Sequence, residues 1–206
     1  MVFDPVNVSS GEDRAWKALL SADADYICAN ASVKFEHSTG IYTVNSFGND
    51  FYVSLSEKAI TSSTPAGLKL LGNPEYFFSL SVLWYLTSAI NIPLKGTLVR
   101  PEHIKNGQIF AVGTHVLPLN DLAEKYASSK DGFMNIGKAY GGVQESYGDA
   151  SFRLLPFPRI PVVMSLWLAD EEFPARADLL FDQTCEQQAP TDVLWSVSMM
   201  CVSIML

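Results

Sequence analysis

Residues 156–168 limit the fold more than any other stretch. Pro156, Pro158 and Pro161 stand so close together that no helix can run through them. Each ring removes a backbone donor and biases the preceding residue towards extended geometry. The near-continuous apolar run over 162–168 that follows is too short for a typical helix and reads as a strand in the middle of a sheet. Upstream, 152–155 is a further short strand. Downstream, 177–182 is another, because Leu179 and Phe181 alternate with acids. Apolar residues make up 48% of the chain and charged residues 17%, so there is ample material for a core and no basis for disorder.

The remaining elements are arranged around that block. Ser10 with Asp13 resembles a capping box ahead of an amphipathic helix over 11–21 carrying Trp16, Leu19 and Leu20. Residues 33–36 alternate as a half-buried strand. The runs 40–46 and 50–54 form a hairpin about Phe47-Gly48-Asn49. Residues 61–72, with Pro65 and Gly67, read as a loop. Asn73-Pro74 then opens a long apolar helix over about 74–92, stopped by Pro93. Being apolar on nearly every side, it belongs at the centre. Short strands are expected near 97–99 and 108–112, and a short helix from Asn120 or Asp121 to Tyr126. A helix over 131–146 is weakened by Gly137, Gly141 and Gly142. The closing helix covers about 191–206, with Thr191 as N-cap and Asp192 at the positive end of its dipole. The expectation is one α+β domain over 1–206, with an antiparallel or mixed sheet packed by the helices at 74–92 and 191–206.

Charge excludes two classes of partner. Fourteen basic against 22 acidic side chains give a net charge of -8. Nucleic-acid binding needs Lys and Arg to neutralise phosphate, and an anionic bilayer surface repels the same excess. The uncharged stretches 76–92 and 193–206 fall short of the roughly 20 apolar residues a membrane span needs. Residues 1–7 lack the basic start and apolar run of a signal peptide. Cys28, Cys185 and Cys201 are odd in number and widely spaced, as expected of reduced thiols in the cytoplasm. No phosphate-binding glycine loop, nucleophile elbow or H-E-x-x-H occurs, and His37, His103 and His115 are scattered. No metal and no cofactor is therefore expected.

Four groups could carry chemistry. Asp170, Glu171, Glu172, Asp178 and Asp182 are opposed only by Arg176. They form either a cation or acid–base site, or a solvated turn and polar strand face. On a strand, Asp178 and Asp182 would stand about 13 Å apart at ~3.3 Å per residue, too far to share one metal. Arg153 and Arg159 flank the proline-spaced segment and either meet an anion or pair internally with Glu171, Glu172 or Asp182. Met199, Met200, Cys201 and Met205 beside Trp195 suit a soft metal or haem-like group, or simply the core. His103 and His115 lie in an irregular stretch that could wall a pocket. The ligand-binding candidates are thus Arg153, Arg159, Asp170, Glu171, Glu172 and Asp182.

The C-terminal third also carries a resemblance. Leu154-Leu155-Pro156-Phe157-Pro158-Arg159-Ile160-Pro161 is followed by Leu166-Trp167 and then by Asp170-Glu171-Glu172-Phe173-Pro174. Leu180-Phe181-Asp182 and Pro190-Thr191-Asp192 complete the set. In this order and spacing the blocks resemble the uncharacterised family called domain of unknown function 3786. Residues 40–53 resemble its hairpin, and Leu94-Lys95-Gly96 the segment after its central helix. The resemblance implies no reaction. It implies an anaerobic setting, and some members are fused to an iron–sulfur cluster domain. This chain has no clustered cysteines, so a cluster is not carried over. Three readings stay open: a non-enzymatic binding or accessory module serving an unknown protein or small-molecule partner, with a redox or corrinoid-linked setting among those the resemblance implies; an enzyme with an Arg/carboxylate pocket for a small anionic substrate; and a structural homo-oligomer.

Overall fold

In the computed structural model, residues 5–72 and 75–206 are described, with side chains from Gly11 to Gly72 and from Phe77 onward. β8 (Ile160–Trp167) is the middle strand of an antiparallel sheet. It lies between β7 (Ala150–Phe157) and β9 (Arg176–Asp182), with β5 (Leu98–Val99) beyond β9 and β6 (Val143–Gln144) beyond β7. Register sorts the side chains by parity. Phe152, Met164 and Leu179 align across the three long strands, as do Leu154, Val162 and Phe181, and all six enter the core. On the opposite face Arg153, Val163 and Leu180 align, then Ser151, Ser165 and Asp178, then Trp167 with Arg176. Val163 is buried yet stands outside the main core cluster. The sheet thus has a core face and a second, largely polar face, as the alternation of an antiparallel sheet allows.

A second sheet is a four-stranded meander of β1 (Lys34–Glu36), β2 (Ile41–Ser46), β3 (Asn49–Ser54) and β4 (Ala59–Ser62). Ser46 pairs with Asn49, so the β2–β3 turn has two central residues, Phe47 and Gly48, both with positive φ (49° and 72°). That is the twist-matched hairpin geometry. The Phe47 N–H donates to the Leu155 carbonyl at 2.8 Å and so ties the two sheets together. It does so where the β7–β8 register shifts between Leu154 and Phe157, a bulge that contains Pro156. Pro156 has no N–H to lose there.

The helix α4 (Glu75–Ser88) is central, as its all-round apolar surface demands. α1 (Pro5–Ser21), α2 (Ala24–Ala31), α3 (Pro65–Gly72) and α7 (Thr191–Ser203) pack against it. Phe78 meets Phe51 of the meander at 4.3 Å, and Tyr85 stacks on Phe157 of the large sheet at 4.6 Å and 10°. α5 (Leu119–Lys125) lies by β9, and α6 (Lys130–Ala139) covers β7 through Phe133 on Phe152. This is the α+β architecture with an antiparallel sheet that the sequence predicts.

Several boundaries differ. α1 starts at Pro5, so Ser10 lies inside it and is not its cap. Asn73 and Pro74 lie outside the described residues. α4 ends at Ser88, well before Pro93, because other elements take over its next donors: Ile90 N–H goes to Gln188 Oε1 and Asn91 N–H to Asn30 Oδ1. The segment read as a loop over 61–72 contains the end of β4 and all of α3, which begins at Pro65. Residues 107–110 form a 3₁₀ turn, not a strand. α6 stops at Ala139; Gly141 has a left-handed φ of 74°, and β6 follows. Residues 24–31 form a helix capped by Asp23, whose Oδ1 accepts Tyr26 N–H at 2.7 Å. Thr191 is the first helical residue and its hydroxyl donates to the Lys105 carbonyl, so it anchors α7 without capping it.

Tyr85 fixes the junction of these parts. Its hydroxyl donates to the Ala31 carbonyl at 2.6 Å and accepts Arg159 N–H at 3.2 Å. Burial pushes the phenol far above its usual range, so it remains a donor at any physiological pH. Tyr85→Phe keeps the stack on Phe157 but strands a buried carbonyl. It should lower stability by about 1–3 kcal/mol in urea denaturation, with an unchanged m-value.

Candidate functional site

The six residues expected to bind a ligand fall in three places. Arg159 serves α2: Nε donates to the Asn30 carbonyl, and Nη2 to the Ala29 carbonyl at 3.3 Å. A cation at a helix C-terminus satisfies carbonyls that lack intrahelical partners. Asp170, Glu171 and Glu172 are exposed on the β8–β9 connection. Asp170 Oδ1 accepts Phe173 N–H at 2.7 Å and Glu172 N–H at 2.8 Å, which holds this carboxyl below the usual range. Arg153 and Asp182 line one cavity of about 360 Å³ on the polar sheet face. Arg153 pairs with Glu145 at 3.6 Å, not with Glu171, Glu172 or Asp182.

Asp182 is 4% exposed and ends β9. Its Oδ1 accepts the Thr184 hydroxyl at 2.7 Å, Thr184 N–H at 2.9 Å and Lys95 N–H at 3.2 Å; Oδ2 accepts Gly96 N–H at 2.7 Å. Burial raises the carboxyl pKa, but these donors, led by Thr184, outweigh it and hold the group below the ordinary range. Asp182 therefore organises the 94–97 segment around a fixed anion.

A cavity of about 720 Å³ opens at the other end of the same face, where β8 ends and β9 begins. Register places Trp167 opposite Arg176, and the guanidinium carbon sits 4.1 Å from the indole centroid. Gly148 backs the indole: a Cβ there would lie 3.1 Å from the ring and 2.7 Å from the Leu166 carbonyl, at a φ of +58°. Arg176 Nη2 and Arg100 Nη2 converge on Asp178 Oδ2 at 3.5 and 3.4 Å, and Arg100 also meets Glu102 at 3.8 Å. Asp149 Oδ2 accepts Leu168 N–H at 2.8 Å and holds the start of the connection. Phe173 lines the rim with 65% of its surface exposed. Asn120 and Arg176 also wall an adjoining cavity of about 280 Å³.

Sequence reasoning weighed Arg176 and Asp178 only as part of an acidic group, and did not single out Arg100. The Trp167–Arg176 contact depends on strand register, which no local pattern reports. Cys185 and Cys201 are buried, and Cys28 is partly so. Burial pushes the Cys185 thiol up to about 12 and the Cys201 thiol higher still, so neither is a thiolate at neutral pH. Met200 and Met205 are buried in the core, and His115 meets Trp195 edge-to-face with ring centroids 4.9 Å apart. Among the described residues, no group of three His, Cys, Asp or Glu side chains is placed to hold a metal ion, and no helix is long and apolar enough to cross a membrane.

Two substitutions test this geometry. Asp182→Asn should cost roughly 1.5–3 kcal/mol at neutral pH, since it removes the charge from four hydrogen bonds. Because the folded carboxyl has the lower pKa, this stabilisation is complete above the unfolded value of about 3.9 and fades as pH falls below it. Denaturation curves of the two proteins should therefore converge in acid. Gly148→Ala combines left-handed strain with the clash on the Leu166 carbonyl. It should cost more than the roughly 1 kcal/mol typical of an ordinary substitution, read by thermal unfolding.

The family model described as Domain of unknown function (DUF3786) matches residues 23–203. No curated protein and no solved structure matches the chain. The matched span runs from the cap of α2 to the end of α7 and includes both sheets and the three cavities described above. The chain therefore belongs to the family of domain of unknown function DUF3786.

Proposed function

We propose that this chain is a cytoplasmic binding module whose ligand occupies the 720 Å³ cavity between Trp167, Phe173 and Arg176. Its volume lies within the roughly 300–1,000 Å³ of small-molecule sites. The carrying observation is that the Trp167 indole is held between Gly148 and the Arg176 guanidinium, itself tied to Asp178. An aromatic wall ordered in advance loses little entropy on binding, and Trp and Arg are favoured at binding hot spots. Phe173 offers an exposed ring for a flat ligand.

Charge favours a neutral or cationic ligand. Asp149 and Asp170 line the cavity, Glu171 and Glu172 follow on the same connection, and Asp178 takes up the charge of Arg176. A cytoplasmic setting is supported by three free cysteines, which persist in a reducing compartment.

Tryptamine, benzamidine and indole-3-acetate separate the terms of this reading by charge and shape. In thermal-shift titrations the two cations should raise the melting temperature and the anion should not. Phe173→Ala, at an exposed position, should weaken the response about tenfold or more while leaving the unliganded melt unchanged. The same response in Phe173→Ala, or none to either cation, would reject the cavity as the site.

A further inference from the structure

We propose that the cavity bounded by Arg153, Lys95 and Tyr147 is a second binding site, for a small monocarboxylate with an aliphatic body. It lies on the same sheet face as the Trp167 cavity, at the opposite end of the strands. The inference does not depend on the first site.

The donors are present and unspent. Arg153 meets Glu145 through Nε at 3.6 Å. Its two terminal nitrogens make no hydrogen bond among the described residues. Those nitrogens form the planar fork that matches the two oxygens of a carboxylate. Lys95 is anchored by its backbone N–H to Asp182, while its ammonium group has no partner among the described residues. Tyr147 is likewise fixed through its backbone, to Ser151 Oγ at 2.8 Å, and its hydroxyl is free among the described residues. Rigid main chain thus carries three uncommitted donors around one opening.

The rest of the lining selects among anions. Leu98, Pro161 and Val163 contribute apolar surface, and Leu94 extends it with 47% of its own surface exposed. An aliphatic chain would cover that surface, and inorganic phosphate would not. Glu145 and Asp182 already balance the two cations, so a single negative charge is tolerated and a dianion is opposed. The volume of about 360 Å³ holds a small molecule.

Butyrate, n-butylamine and inorganic phosphate serve as probes, read by backbone amide NMR. Butyrate should shift the Lys95 and Gly96 amides, which are bonded to Asp182, and n-butylamine should leave them in place. Arg153→Gln should weaken butyrate binding about tenfold or more, and Lys95→Ala should weaken it less. Both positions are exposed, and unchanged amide spectra elsewhere would verify the fold. Phe173→Ala should bind butyrate as the parent does, which separates this site from the first. Equal butyrate affinity in Arg153→Gln, absence of saturable shifts, or phosphate binding tighter than butyrate would overturn the proposal.

Discussion

The structure depends on the antiparallel ladder that holds β8 between β7 and β9. Because side chains alternate strictly, one register decides two surfaces together. It sends Phe152, Leu154, Val162, Met164, Leu179 and Phe181 inward and Arg153, Ser165, Trp167, Arg176 and Asp178 outward. A slip of one residue would bury arginines and expose the core, so stability and the candidate sites are specified by one pairing. The proline-spaced turn contributes by letting β7 and β8 separate at Pro156 and rejoin at Phe157 and Ile160.

Around that ladder, irregular backbone is held by polar side chains reaching over long sequence distances. Asp182 accepts from the 94–97 segment, Gln188 accepts from Ile90, Tyr85 and Arg159 donate to the end of α2, and Asp149 accepts from Leu168. Each bond satisfies a backbone group that regular structure does not, which a tightly packed interior requires. The same side chains place the cavities: Asp182 shapes one rim and Asp149 the other. These carboxylates therefore hold irregular backbone and line the cavities at once.

The sequence is most readable where one physical signal dominates. Proline spacing and apolar runs locate β7 and β8, and all-round apolarity identifies the central helix. The β2–β3 hairpin follows from Gly48, although Phe47 also adopts positive φ. Legibility fails where distant partners decide. Pro93 looks like the stop of α4, but Gln188 and Asn30 end it earlier. Thr191 looks like a cap, but Lys105 takes its hydroxyl. Among the acids and arginines, sequence finds Arg153 and Asp182, which do share a cavity, and groups them with Arg159, which caps α2 instead. Arg100 and Arg176 meet at Asp178 across about 75 residues of chain, a convergence set by folding alone.

The outermost strands of the large sheet, β5 and β6, are only two residues long. Long, flat borders invite copies of a protein to pair edge to edge into fibrils, and borders this brief offer little template for such growth. A molecule built this way presents few unpaired backbone groups through which a second copy could extend the sheet.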